Sequence, residues 1–261
     1  MSDFAFIGGT GVDSLPMSER QSIVVDTPYG TVQTEVGHLG GQEVVFMSRH
    51  GLNHAIPPHL INYRANLWAL RELGVKKILA TAAVGSLSSN FLLRDLVLID
   101  QFLDFTKNRP QTFYEGGVQG VLHVDLTEPY CGQLRQVVLK AGDELSLSIK
   151  NGATYVCTEG PRFETSAEIK MFQLLGGELV GMTSVPEVIL ARELGLCYVS
   201  IGMVTNEAAG IATHPLTHAE VMDSIQQVGQ SVATLIEKTL RLLTPERNCT
   251  CALANAELGR F

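Results

Sequence analysis

Short apolar runs that stop abruptly at glycine or a polar residue are the feature that most limits what this chain can fold into. Residues 4–7 (FAFI) stop at Gly8-Gly9-Thr10-Gly11, and residues 44–47 (VVFM) at Ser48-Arg49-His50-Gly51. Residues 77–84 stop at Gly85, residues 96–99 at Asp100, and residues 198–204 at Thr205-Asn206. Runs of this length, rich in β-branched residues and bounded by turn formers, suit buried strands. Helical patterns lie between them. Residues 61–73 bring Leu60, Tyr63, Leu67 and Leu70 to one side, with Gly74 as the stop. Residues 165–175 open with Thr165 and Glu168 at capping-box spacing. Residues 186–194 end at Gly195. Residues 217–243 open on a second such box and carry Val221, Ile225, Val228, Val232, Ile236, Leu240 and Leu243 at helical spacing.

Strands alternating with helices predict an α/β fold: one domain, with a mixed or largely parallel sheet surrounded by helices. The aromatic, Gly-rich stretch 100–130 has no clear period and reads as long loops. With no internal repeat and no low-complexity linker, the domain is expected over 1–244, followed by a partly ordered tail over 245–261. The first residues lack a basic segment and a long apolar run, so no secretory signal is expected. No stretch approaches the ~20 apolar residues of a membrane helix. A formal charge of −8 disfavours nucleic acid as a partner. It leaves room for a small anionic substrate, which needs only a local set of donors.

Cys131, Cys157, Cys197, Cys249 and Cys251 form an odd and scattered set, read as reduced and cytoplasmic. Cys249-Thr250-Cys251 is the one tight spacing. With no second pair or histidine beside it in sequence, the expectation is two thiols on a loose tail and no metal.

The strand ends are where ligands collect in open α/β sheets. Gly8-Gly9-Thr10-Gly11 is either an anion cradle of backbone N–H groups or a plain turn; it fits neither the dinucleotide nor the P-loop pattern. Arg49-His50 is either a phosphate-binding pair or a solvated one. Thr183 is a hydroxyl donor to phosphate or a helix N-cap. Phe163-Glu164, at a Gly-Pro turn, stacks and reads a base or merely begins a helix. Asn206 is a pocket amide or a turn residue.

Taken together these segments resemble the trimeric purine nucleoside phosphorylase / methylthioadenosine phosphorylase family over residues 3–243. The segments that carry the resemblance are Ile7–Gly8-Gly9-Thr10-Gly11, Ser48-Arg49-His50-Gly51, residues 62–70, Glu159-Gly160-Pro161-Arg162-Phe163-Glu164-Thr165, residues 181–187 and residues 205–210. The resemblance implies a nucleoside phosphorylase-like fold and reversible phosphorolysis of an N-glycosidic bond. It implies a phosphate site of Thr10, Arg49, His50 and Thr183, with backbone near Ala82 and Ala83. It also implies Phe163 against the purine and Met182 under the ribose, with Ala208 in the base pocket. Asn206, Glu164 and His50 are the expected catalytic residues. His123 is expected to reach a neighbour's site in a homotrimer, near the sugar 5′ end, and His218 to meet a 5′-hydroxyl. No cofactor or metal is implied; phosphate is a co-substrate.

Base preference follows from hydrogen-bond types. The methylthioadenosine branch usually has Asp-x-Asp where this chain has Asn206-Glu207-Ala208. The Asn206 amide offers a donor and an acceptor, matching O6 and a protonated N7 of a 6-oxopurine. An ionised Glu164 accepts from N1–H, whereas adenine N1 would face it with a lone pair. Mismatched buried polar groups cost ~1–3 kcal/mol each. The expectation is a 6-oxopurine nucleoside phosphorylase, with a methylthioadenosine or methylthioinosine phosphorylase as the alternative and a non-catalytic nucleoside-binding protein as a remoter one.

Overall fold

The computed structural model describes residues 2–9, 12, 15–51, 54–211 and 218–256, with only the backbone described for 218–220. The five apolar runs all become strands: β1 (Phe4–Gly8), β4 (Gln42–Ser48), β5 (Lys77–Ser86), β6 (Leu96–Leu98) and β11 (Cys197–Glu207). The remaining strands are β2 (Ser18–Thr27), β3 (Gly30–Leu39), β7 (Gln101–Phe105), β8 (Ile149–Asn151), β9 (Thr154–Thr158) and β10 (Leu179–Gly181). The helices are α1 (Tyr63–Glu72), α2 (Gly132–Glu144), α3 (Ser166–Leu174), α4 (Ser184–Glu193) and α5 (His218–Leu242).

The strands form one mixed sheet. β4, β1, β5 and β11 run parallel at its centre. The β2–β3–β4 meander extends one side, and β10, β9 and β7 continue the other. Alternation along the central strands feeds two cores. Ala5, Ile7, Ile78, Ala80 and Tyr198 pack with Leu67 and Leu70 of α1 and Val188 and Leu190 of α4. Phe4, Phe6, Leu79, Val199 and Ile201 pack with Leu134 and Val138 of α2 and Val232, Ile236 and Leu240 of α5. Each fully buried aliphatic side chain contributes ~1.5–3 kcal/mol, so the α5 stripe, with Ser224 Oγ donating to Thr205 O, holds that helix to the sheet.

Local signals behave as the sequence predicts in several places. Thr165 and Glu168 form a reciprocal capping box at the start of α3. Gly74 follows α1 with φ +86° and donates to Arg71 O. The box predicted at Thr217 lies outside the described residues. Three readings need correction. Leu60 does not join the α1 stripe; it is 65% exposed in a 3₁₀ turn that ends before the helix begins. The stretch 100–130 is not all loop, because β7 pairs in parallel with β9 within it. Its half-exposed side chains hide that strand from a search for apolar runs. The tail is not loose through residue 256. Lys77 Nζ donates to Thr244 O and Glu246 O, Arg247 Nη1 donates to Gly195 O, and Cys251 is buried.

Candidate functional site

The sheet itself leaves room for a site. β11 covers one edge of β5 along its length, while on the other edge β1 stops at Ala80. β10 takes over that edge only at Gly85 and Ser86. Among the described residues no strand pairs with residues 81–84 on that edge, which leaves room beside them there. A 370 Å³ cavity lies there. Gly9, Arg49, His50, Ala82, Ala83 and Thr183 line one part; Phe163, Glu164, Met182, Thr205 and Asn206 line another.

The first part is built round a buried cation. Arg49 Nε and Nη2 donate to the two carboxylate oxygens of Glu187 at 2.7 Å each, and Nη1 donates to Thr81 O at 2.8 Å. Tyr198 OH also donates to Glu187 Oε1. Burial alone would lower the Arg49 pKa, but the Glu187 charge and hydrogen bonds overcome this and hold it charged. The fork still has N–H groups to spare. Gly9 has to be a glycine, because a Cβ there would lie 2.6 Å from Thr81 O and 2.9 Å from Arg49 Nη1. His50 is pushed down to about 4 by burial, with the Arg49 charge and His54 adding to the effect. Its Nδ1 lies 2.8 Å from Ile56 O. A neutral ring in that contact carries its proton on Nδ1, which leaves Nε2 as an acceptor. Thr183 occupies the N-cap of α4 without capping it through its side chain. The residue lines the cavity.

The second part is held by bends in the chain. A register shift between Val204 and Asn206 makes Thr205 an extra residue in β11, and such bulges re-aim side chains at strand ends. Asn206 Oδ1 accepts from Thr205 Oγ1 at 2.8 Å, and Nδ2 donates to Glu207 O at 2.9 Å. Glu164 Oε1 accepts from Thr158 Oγ1 at 2.6 Å. Burial raises the Glu164 pKa, partly countered by that bond. Phe163 is 42% exposed on the wall.

Nine of the positions read from the sequence thus share one cavity: Arg49, His50, Ala82, Ala83, Phe163, Glu164, Met182, Thr183 and Asn206. Thr10 lies outside the described residues, as does the side chain of His218. Ala208 is a correction. It is 1% exposed and packs behind the wall with Val156, Phe172 and Val180, because its N–H is tied to Ser86 O. His123 is exposed and does not line this cavity in its own chain.

Sequence reading missed four supporting residues. Glu187 stands in the quoted segment 181–187, yet nothing local assigns it to Arg49, 138 residues away. Thr158 and Thr205 orient Glu164 and Asn206. Arg109 reaches from the expected loop and donates to Met182 O, Val185 O and Glu159 O at 2.7–2.8 Å. It thereby clamps the turns after β9 and β10 together.

The chain is similar to known proteins over nearly its whole length. Residues 3–241 match the phosphorylase superfamily. The probable 6-oxopurine nucleoside phosphorylase of Dictyoglomus turgidum is 52% identical, over 97% of this chain and 96% of its own length. The probable S-methyl-5′-thioinosine phosphorylase of Methanopyrus kandleri is 50% identical, over 99% of this chain and all of its own. Methylthioadenosine phosphorylase from Schistosoma mansoni, solved with adenine, superposes with a TM-score of 0.91 at 32% identity, covering 99% of this chain and 97% of that one.

Proposed function

The chain belongs to the phosphorylase superfamily, and from that premise we propose that it is a pentosyltransferase acting on 6-oxopurine nucleosides such as inosine and guanosine. It takes inorganic phosphate as nucleophile and releases the base and pentose 1-phosphate. The observation that carries this reading is the pairing of Asn206 and Glu164 on the wall of the cavity whose other part holds Arg49. An amide and a carboxylate complement O6, a protonated N7 and N1–H together. The two relatives near 50% identity bear names that contain the same base type, since thioinosine is also a hypoxanthine nucleoside.

In this mechanism phosphate is held by Arg49, Thr183 and the backbone of Ala82 and Ala83. His50 Nε2 accepts a hydrogen bond from the phosphate P–OH, orienting the anion. The glycosidic bond breaks through an oxocarbenium-like sugar, and bound phosphate is both counter-charge and nucleophile. Electrons move onto the purine as it departs, and Asn206 binds the protonated N7 more tightly as that charge builds. A positioned polar partner of this kind contributes ~10²–10⁴-fold. The active unit is a homotrimer, with His123 at a neighbour's sugar site, and it works in the cytoplasm without an organic cofactor. Among the described residues no helix is long and apolar enough to cross a membrane.

A second reading, a methylthioinosine phosphorylase, is favoured by the Methanopyrus relative and by the apolar run Ile56-Pro57-Pro58 with Val221 on the cavity wall. The two readings share base and mechanism and differ at the sugar 5′ position. Catalytic efficiencies on inosine and 5′-methylthioinosine separate them. We expect inosine to be the better substrate and His218→Leu to narrow the gap; best efficiency on the methylthio nucleoside would transfer the assignment to the second reading.

A further inference from the structure

At the opposite end of β11 from Asn206, four of the five cysteines meet. Cys131, Cys197, Cys249 and Cys251 have sulfur atoms all within 4.8 Å of one another. This corrects the expectation of a scattered set: the second pair that Cys249-Thr250-Cys251 lacks in sequence is supplied by the fold. Cys131 is the N-cap residue of α2, and Cys197 is the first residue of β11. Both are therefore fixed on regular elements. The other two come from the segment after α5. Cys131, Cys197 and Cys251 are 3%, 1% and 4% exposed, while Cys249 is only partly covered.

We propose that these four cysteines form a tetrathiolate site for a single zinc ion, which clasps the C-terminal segment to the start of β11 and α2. A tetrahedral zinc with Zn–S of ~2.3 Å places its sulfurs ~3.8 Å apart. The sulfurs here span distances up to 4.8 Å, with Cys197 and Cys249 at 3.4 Å. Closing round an ion needs shifts of well under a side-chain length. The donor set is wholly soft thiolate, which selects zinc over the hard divalent cations.

The surroundings fit the charge. Four thiolates and one divalent cation sum to −2. Arg192 Nη1 donates to Cys251 Sγ at 3.4 Å, the outer-sphere contact that such sites use to steady a ligand. Lys77 lies within electrostatic reach of Cys197 and Cys249 while donating to the carbonyls of Thr244 and Glu246. The N-terminus of α2 adds its positive end at Cys131. Cys249, the least covered ligand, gives the ion a way in. The site is structural: all four ligands come from the protein, so no position remains for a substrate.

The test uses the full, untagged chain prepared without oxygen in reducing buffer. We expect about one zinc per chain, released in step with mercurial titration of four thiols. Cobalt in its place should give sulfur-to-metal charge-transfer bands and the visible bands of tetrahedral coordination. Cys249→Ser should weaken zinc retention at least ~10-fold, whereas Cys157→Ser, altering the cysteine outside the cluster, should leave it intact. Purine release at low temperature should persist after chelation while the unfolding temperature falls. Reduced, folded wild-type chain that takes up neither metal would overturn the proposal, as would two disulfides among these four cysteines in protein from a reducing cytoplasm.

Discussion

The two parts of the cavity are built differently, and the difference separates what the site must always do from what it chooses. The Arg49 part is buried and hydrogen-bonded to the fold. Its cation is 2% exposed, its carboxylate partner Glu187 is fully buried, and the hydrogen bonds of the Arg49 side chain named above run to β5 and α4. The Asn206 and Glu164 part stands on a bulge and on the turn before α3, with Phe163 exposed between. A fixed anion site suits a co-substrate that never varies, while side chains set on turns can be exchanged for another base without disturbing the sheet.

The comparison breaks most readily at Glu187. Glu187→Ala would leave the Arg49 guanidinium buried without its carboxylate, which costs ~3–5 kcal/mol of stability, read by denaturant unfolding. Phosphate KM should rise in the same variant while the ratio of inosine to adenosine activity stays unchanged. A shift in that ratio would mean that the two parts are not independent.

Asn206→Asp probes the other part. It should lower inosine activity ~10-fold or more, because one mismatched buried polar group costs ~1–3 kcal/mol. Relative activity on adenosine should rise, because a protonated Asp donates to N7 while its other oxygen accepts from the 6-amino group. Phosphate KM should hold steady.

A smaller effect lies in the pH profile. Glu164 accepts N1–H only when ionised, and burial raises its pKa. Efficiency on inosine should therefore be full above that raised value and fall as pH drops through it. His50 remains neutral until about pH 4, so it adds no change in this window. Glu164→Gln should flatten the acid limb; a limb unchanged in that variant would assign it to another group.

The central strands and the main helices are legible in the sequence because they are buried on both faces or carry a full helical stripe. β2 is not, since its side chains are largely exposed, and neither is β7, whose three apolar residues are only partly buried and interrupted by Asp104. Within the site, Arg49, His50, Phe163, Glu164 and Asn206 announce themselves by standing at the ends of predicted elements. Glu187 and Arg109 do not, because their partners are distant in sequence and only the folded sheet brings them together. The cysteine cluster is hidden for the same reason: a Cys-x-Cys pair gives no hint of Cys131 and Cys197. Ala208 falls behind the cavity wall because the bulge at Thr205 and its bond to Ser86 O set which face it takes, and neither is visible in the sequence.

The most direct test of 6-oxopurine phosphorolysis is base release from inosine and from adenosine, each assayed with and without phosphate in sulfate-free buffer. The account predicts hypoxanthine release that requires phosphate and exceeds adenine release ~10-fold or more. Equal rates without phosphate, or a preference for adenosine, would contradict it.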